Sequence, residues 1–181
     1  MGFDVDVIPS EIDERPAPGE FPRDHVIRLA RAKTFDVGAQ YPDRWVIGAD
    51  TIVYAEGTIL GKPKSREEAS EMLGLLSGRE HEVLSGFSVC HLKKEREDQD
   101  AVQTSVKVKS LTGEEIEWYI GTGEPFDKAG AYAIQGIGSF MIESIHGSYT
   151  NVVGLPMCEL IQMMERLGAI TIAEFGLRIA E

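Results

Sequence analysis

The sequence has little of what nucleic-acid binders, disulfide-bonded proteins and membrane proteins require. Its 18 Lys and Arg are outnumbered by 30 Asp and Glu, for a formal net charge of −12, whereas a general nucleic-acid binder needs a basic face to displace counterions. The two cysteines, Cys90 and Cys158, have no metal-ligand spacing and favour idle thiols in a reducing cytosol. No apolar run approaches the ~20 residues that span a bilayer, and we read no signal peptide. We therefore expect a soluble, cytoplasmic protein whose partners include neither nucleic acid nor a membrane.

What the sequence does have is an alternation of strand and helix patterns. Its 181 residues, 43% of them hydrophobic, are enough for one compact domain. Apolar and alternating runs predict strands at residues 3–9, 45–54, 81–91 and 101–111, with a polar loop at 93–100. Helical spacing and two capping boxes predict helices at 23–35, 65–78, 112–120 and from 155 onward. This mixed order predicts an α/β fold with a partly antiparallel, twisted sheet and a cleft between two lobes.

Glycine punctuates residues 123–156, a stretch that otherwise alternates apolar and polar side chains. Glycine weakens a strand or a helix unless close backbone approach or a positive φ requires it. This density therefore predicts a segment shaped around a ligand. Polar side chains lie between the glycines, at Asp127, Lys128, Gln135, Glu143 and Asn151.

Asp50 lies in the middle of the most apolar predicted strand, within Gly48-Ala-Asp-Thr51. A buried carboxylate must be paired, bound to a metal or shifted in pKa, because burial of an isolated charge is costly. Asp50 is therefore a candidate catalytic or metal-binding residue. The alternative is a structural carboxylate at a strand end that caps a neighbouring turn.

Two lysines and an acidic cluster are further candidates for binding a polyanionic ligand. Lys62 stands between a glycine and a proline, where it cannot be a solvated charge in the middle of a helix. Lys33 lies on the first predicted helix, where an ordinary exposed lysine is an equally good reading. Glu14 forms an acidic cluster with Glu11 and Asp13, which is either a solvated turn or a set of hard oxygen ligands for Mg²⁺ or Mn²⁺ beside phosphates.

Eight motifs, in order along the chain, resemble those of the Maf (septum-formation) nucleotide pyrophosphatases. They are Pro9-Ser-Glu-Ile-Asp-Glu14, Ala32-Lys33, Gly48-Ala-Asp-Thr51, Gly61-Lys-Pro63, Leu76-Ser-Gly-x-x-His81, Gly123-Glu-Pro125, Asp127-Lys-Ala-Gly-Ala-Tyr-Ala-Ile-Gln-Gly136 and Asn151-Val-Val-Gly-Leu-Pro156. The last two motifs are similar to those of the branch that acts on dTTP and UTP.

The resemblance implies a fold, an activity and roles for particular residues. The fold would be similar to that of inosine triphosphate pyrophosphatases, an elongated, mixed, twisted sheet flanked by helices, with the nucleotide in a central cleft. The activity would be metal-dependent hydrolysis of a nucleoside triphosphate to the monophosphate and pyrophosphate, with Mg²⁺ or Mn²⁺ as cofactor. We also expect a homodimer.

Carried over by position, Asp50 matches the proton acceptor of the family and, with Glu14, is expected to hold the metal. Lys33 and Lys62 match charged residues around the phosphates. Thr51 and Gln135 match positions that set base preference, and an amide such as that of Gln135 offers a donor and an acceptor together, as the edge of thymine or uracil requires.

One part of the family pattern is missing from this sequence. The family begins with an apolar strand and a Ser-x-Ser-Pro-Arg-Arg loop, which would supply backbone N–H groups and two arginines to the triphosphate. We therefore expect a single, N-terminally incomplete Maf-like domain over residues 1–181, with an open sheet edge beside residues 3–9. A catalytically impaired nucleotide-binding or regulatory module is the alternative, and a structural or interaction domain that binds no nucleotide is a third.

Overall fold

A central sheet with helices on its faces accounts for most of the chain. The computed structural model describes residues 5–171. Its helices are α1 Pro22–Gln40, α2 Arg66–Leu76, α3 Gly113–Gly121, α4 Tyr149–Val153 and α5 Met157–Leu167. Its strands are β1 Val46–Ala55, β2 Thr58–Leu60, β3 Glu80–His91, β4 Arg96–Val108 and β5 Ile142–His146. None of these helices has the length and hydropathy to cross a bilayer.

The sheet has the strand order β2-β1-β3-β4-β5. The predicted α/β class, with a sheet flanked by helices, is confirmed. The expected mixture of parallel and antiparallel neighbours is not seen in residues 5–171, where all pairings are antiparallel. Short turns join β1 to β2 and β3 to β4, and a short turn can only reverse the chain.

The turn between β1 and β2 follows directly from two residues. Glu56 and Gly57 have φ values of +49° and +81°, which is the backbone of a type I′ hairpin and matches the twist of the two strands. These two residues form the tip of a β-hairpin. It closes the ladder in which Ala55 faces Thr58.

The first half of β1 lies at an edge of the sheet. β2 pairs only with residues 53–55 of β1, so that among the described strands β3 is the sole neighbour of residues 46–52. Ile8 packs against Val46 at this end of the strand, together with Val37 and Cys90. Within residues 5–171, this agrees with the open edge predicted beside the N-terminal segment.

Residues 5–9 form no strand, so that part of the prediction for residues 3–9 is wrong; residues 3 and 4 lie outside the described residues. Val5 and Val7 are 65% and 89% exposed, and only Ile8 reaches the apolar cluster next to β1.

The predicted polar loop at residues 93–100 is mostly strand. β4 begins at Arg96 and stays in register with β3 from His91 onward, so the connection shrinks to one 3₁₀ turn at Leu92–Lys94. Three acidic side chains of this polar strand pair with arginines of the flanking helices. The pairs are Arg23–Asp100, Arg31–Glu97 and Arg166–Asp98.

Both predicted capping residues begin helices. At α3 the capping box is complete, because Thr112 accepts the N–H of Glu115 and Glu115 accepts the N–H of Thr112. At α2, Ser65 accepts the N–H of Glu68, but the Glu68 carboxylate accepts the N–H of Lys64 instead of closing the box.

Candidate active site

A cleft of about 850 Å³ runs along β1 between the N-terminal part of the chain and the glycine-rich segment. It brings together every site residue predicted from the sequence: Glu14, Lys33, Asp50, Thr51, Lys62 and Gln135. The predicted central cleft is therefore present, and one concave site contains acidic, basic and amide groups, as a small polar ligand requires.

Lys33 links two carboxylates at one end of the cleft. Its ammonium nitrogen lies 2.7 Å from Asp50 Oδ1 and 2.6 Å from Glu14 Oε1. The side chains of Lys33 and Asp50 are 21% and 11% exposed, against 59% for Glu14. Lys33 is thus no ordinary surface lysine. Asp50 Oδ2 has no hydrogen-bond partner within residues 5–171 and remains available to a ligand.

Close backbone packing sets the position of Lys33. Gly48 lies two residues before Asp50 on the same face of β1, and Gly86 of β3 is the register partner of Asp50. A Cβ on Gly48 would overlap Ala30 and Thr34 of α1, and a Cβ on Gly86 would overlap the carbonyl of Val26. The two glycines therefore let the helix backbone approach the sheet, which brings Lys33 within reach of Asp50.

Burial and ion pairing act in opposite directions on this pair. Burial raises the pKa of the Asp50 carboxyl above its ordinary value and outweighs the hydrogen bond and charge of Lys33. Burial lowers the pKa of Lys33, but the hydrogen bonds to Asp50 and Glu14 outweigh it and leave that pKa above its ordinary value. Lys33 is therefore still protonated where Asp50 titrates. A raised pKa makes Asp50 a better proton acceptor than an exposed aspartate.

Thr51 occupies the opposite face of β1 from Asp50. Its hydroxyl lies 2.7 Å from the Ser85 hydroxyl and 3.1 Å from the Gly154 carbonyl, and Ser85 in turn donates to the carbonyl of Asn151. These contacts tie β1 and β3 to the end of α4. Thr51 thus joins the cleft wall to the sheet, and its role in base preference stays a prediction.

Lys62 projects from the chain that follows β2. The carbonyl of Gly61 accepts the N–H of Gly130 at 3.0 Å, so the loop that carries Lys62 is fixed to the glycine-rich segment on the other wall. Lys62 makes no hydrogen bond or ion pair that would hold its ammonium group within the described part of the chain, although its charge lowers the pKa of nearby Asp127. The ammonium group is free to bind an anionic ligand.

A polar network next to Asp50 was not predicted from the sequence. His25 of α1 lines the cleft, and its Nδ1 lies 2.9 Å from Glu20 Oε2. The pKa of Glu20 is well below its ordinary value, mainly because Arg28 donates to both of its oxygens. The sequence spacing of His25 and Arg28 puts them on one face of the helix. It does not show that Glu20 lies next to them, because that depends on the path of the chain before α1.

A second missed interaction lies behind the opposite wall. His81 is buried with its Nε2 2.7 Å from the hydroxyl of Tyr132, a residue that also lines the cleft. Burial lowers the pKa of His81 to about 4, so the ring is neutral near pH 7. In the sequence, His81 stands out only as an isolated histidine after α2. Its partner, Tyr132, lies far along the chain in the glycine-rich segment.

The donor set suits a divalent metal that is shared with a ligand. Within residues 5–171 no group of three or more Asp, Glu, His or Cys residues could hold a metal ion by itself. Mg²⁺ is usually bound through one or two carboxylates plus phosphate oxygens and water. Asp50 and Glu14, which meet at one ammonium group, match that requirement.

Comparison with known proteins identifies the family. The family model described as Maf-like protein matches residues 1–167. The chain belongs to the Maf-like family. This Maf-like chain is 54% identical over 173 residues to a protein of Syntrophotalea carbinolica named dTTP/UTP pyrophosphatase, with 94% of this chain and 78% of that protein covered.

Two other relatives carry the same name. A dTTP/UTP pyrophosphatase of Geotalea uraniireducens is 52% identical to the Maf-like chain, with 93% of this chain and 87% of that protein covered. A dTTP/UTP pyrophosphatase of Clostridioides difficile is 44% identical, with 92% and 86% covered.

Proposed function

We propose that the protein hydrolyses dTTP and UTP to the nucleoside monophosphate and pyrophosphate. The observation that carries the proposal is the pair of Asp50 and Lys33 at the end of a cleft that also contains Lys62 and Gln135. The names of the relatives support the substrate class. A carboxylate with a free oxygen, two cations and an amide are the groups that hydrolysis of a nucleoside triphosphate requires.

Asp50 has the central chemical role in this proposal. Water attacks the α-phosphorus, the bond from that phosphorus to the bridging oxygen breaks, and pyrophosphate leaves. Asp50 accepts the proton of the attacking water at Oδ2, because Oδ1 is occupied by Lys33. Lys33 keeps the carboxylate oriented and stabilises the negative charge on the phosphates.

The remaining charged groups neutralise the triphosphate. Lys62 contacts phosphate oxygens from the opposite side of the cleft. Asp50 and Glu14 would hold Mg²⁺ or Mn²⁺, which supplies further neutralisation and polarises phosphate oxygens when bound. The overall acidity of the protein makes such local cations necessary, since the net charge is −12.

Gln135 reads the pyrimidine base in this proposal. Its side chain makes no hydrogen bond at the start of the turn that follows it, so both polar atoms of the amide are available to a base edge. Thr51 is held in the cleft wall by its contacts with Ser85 and Gly154. A site built on hydrogen bonds rejects a base that leaves those groups unpaired.

The test is release of pyrophosphate from a panel of dTTP, UTP, CTP, ATP and GTP, with Mg²⁺, with Mn²⁺ and with a chelator. In ¹⁸O-labelled water we expect the label in the monophosphate, because attack occurs at the α-phosphorus. Label in pyrophosphate would contradict that step. Binding of dTTP without turnover would instead indicate a nucleotide-binding module, and neither binding nor turnover would indicate a structural domain.

Four expectations stay predictions: the cytoplasmic location, the homodimer, the lack of a nucleic-acid partner and the single domain. Light scattering coupled to size-exclusion chromatography measures the oligomeric state directly. A monomer over the working concentration range would contradict the homodimer.

A further inference from the structure

The wall of the cleft that carries Gln135 is held by a carboxylate from another part of the chain. Gln135 precedes the 3₁₀ turn Gly136–Met141 as its N-cap residue, yet its side chain makes no capping bond. The first N–H groups of such a turn have no acceptor within it. Glu124 supplies both acceptors: its Oε1 lies 3.1 Å from the nitrogen of Ile137, and its Oε2 lies 2.8 Å from that of Gly138.

The backbone around Gln135 is shaped to admit this carboxylate. Gly136 has a φ of +77°, and a Cβ at that position would overlap Glu124 Oε1. Glu124 itself follows Gly123, whose φ is +82°. Glycine thus allows the carboxylate to lie directly against the backbone next to Gln135.

A second anchor holds the chain on the other side of Gln135. The hydroxyl of Tyr119, a fully buried residue of α3, accepts the N–H of Ala133 at 3.3 Å. The backbone is therefore fixed two residues before and two residues after Gln135. Of the two anchors, only Glu124 carries a charge, and bonds to an ionised acceptor are the stronger ones.

We propose that Glu124 is a positioning residue that sets base discrimination: it caps the turn in place of Gln135 and so frees and orients the Gln135 amide for the base. The inference rests on the proposed function, because it assumes that Gln135 reads the pyrimidine. Glu124 lines the same cleft, but its two oxygens are occupied by backbone N–H groups and it acts through Gln135.

The experiment is a double-mutant cycle of Glu124→Gln and Gln135→Ala, with the ratio of kcat/KM for dTTP over GTP as the readout. Glutamine keeps the size of glutamate but offers one oxygen, so one of the two N–H groups loses its acceptor. We expect the ratio to fall about tenfold in Glu124→Gln, as for loss of one charge-assisted hydrogen bond. In the Gln135→Ala background, Glu124→Gln changes the ratio less than about twofold, because the two residues act as one unit.

Controls separate positioning from a general loss of structure. Glu71→Gln makes the same change of charge on the exposed face of α2 and is expected to leave the ratio unchanged. A merely structural Glu124 would lower turnover of all nucleotides alike. If Glu124→Gln does not fold, Tyr119→Phe keeps the ring but removes the hydroxyl that accepts the Ala133 N–H and hydrogen-bonds to Glu124, and a fall in the ratio is expected there as well.

The outcomes distinguish a failure of the proposed function from a failure of the role of Glu124. A wild-type protein that releases no pyrophosphate from dTTP contradicts the proposed function. The role of Glu124 alone is contradicted if the wild type is active and discriminates between the nucleotides, but folded Glu124→Gln keeps the same ratio. Tyr119→Phe takes the place of Glu124→Gln in this comparison if the latter does not fold. Additive effects of Glu124→Gln and Gln135→Ala would also overturn that role.

Discussion

Replacement of Asp50 by asparagine separates catalysis from folding. Asparagine has nearly the same volume and can still accept the hydrogen bond from Lys33, but it cannot take a proton from water. A general base contributes about 10²–10⁴-fold to the rate, so we expect kcat for dTTP to fall by at least about 10². Lys33 retains Glu14 as a partner at 2.6 Å, so the variant leaves no isolated buried cation.

The same substitution has a predictable effect on stability. Because burial outweighs the attraction of Lys33, the folded protein holds the Asp50 proton to a higher pH than the unfolded chain does. The contribution of Asp50 to the free energy of unfolding therefore falls as the pH rises from the ordinary pKa of 3.8 through the raised value, by up to about 1.4 kcal/mol per pH unit. The asparagine side chain does not titrate, so Asp50→Asn does not lose this stability as the pH rises. At pH values above the raised pKa of Asp50, the variant is expected to be at least as stable as the wild type.

Two measurements check the Asp50 prediction: pyrophosphate release, and urea unfolding of both proteins from acidic to neutral pH. Asp43→Asn, an exposed residue before β1, is the control for the change in charge. A folded Asp50→Asn protein with most of its turnover would refute the role as base. A wild type that gains stability over the variant as the pH rises would refute the direction of the pKa shift.

Three further predictions follow from individual contacts. Lys62→Met is expected to raise KM for dTTP about tenfold with no change in melting temperature, because its ammonium group has no partner within residues 5–171; an unchanged KM would contradict phosphate binding. Gly86→Ala is expected to lower the free energy of unfolding by ~1–3 kcal/mol and to reduce activity, since the new methyl group meets the Val26 carbonyl. Gly74→Ala is the control: it has open space around it and is expected to raise the free energy of unfolding by ~0.5–1 kcal/mol. A chelator is expected to abolish turnover and Mg²⁺ or Mn²⁺ to restore it, and full activity after exhaustive chelation would contradict the shared-metal site.

The sequence was a good guide where a pattern is local. The apolar run around Asp50 predicted β1 nearly to its ends, and Thr112 with Glu115 predicted the start of α3, because burial and capping depend on neighbouring residues. The strand at Arg96–Val108 was only half predicted. Its acidic first half pairs with β3 and lies beside arginines from α1 and α5, and such contacts depend on tertiary structure.

In the site, too, local features could be predicted from the sequence and tertiary contacts could not. Motifs indicated Lys33 and Asp50 as separate candidates, but no spacing in the sequence brings a helix residue within 2.7 Å of a strand residue. That contact depends on Gly48 and Gly86, which lie on two different strands. Glu124 was part of a recognised motif, but its role needed the structure, because its partners are backbone groups more than ten residues later in the chain.

The open edge of β1 also has a consequence for the behaviour of the protein in concentrated solution. Ala55 and Thr58 close a two-residue hairpin, so every second residue of β1, counted back from Ala55, directs its backbone N–H and C=O groups to the β2 side. β2 is too short to reach Thr51, Ala49 and Ile47, and the backbone groups of these residues point away from the sheet. Unpaired groups of this kind are a template for another strand, and self-association is the usual result. Since Ala49 and Thr51 line the cleft, a bound nucleotide covers part of that template. We therefore expect substrate analogues to slow aggregation on storage, independently of any effect on turnover.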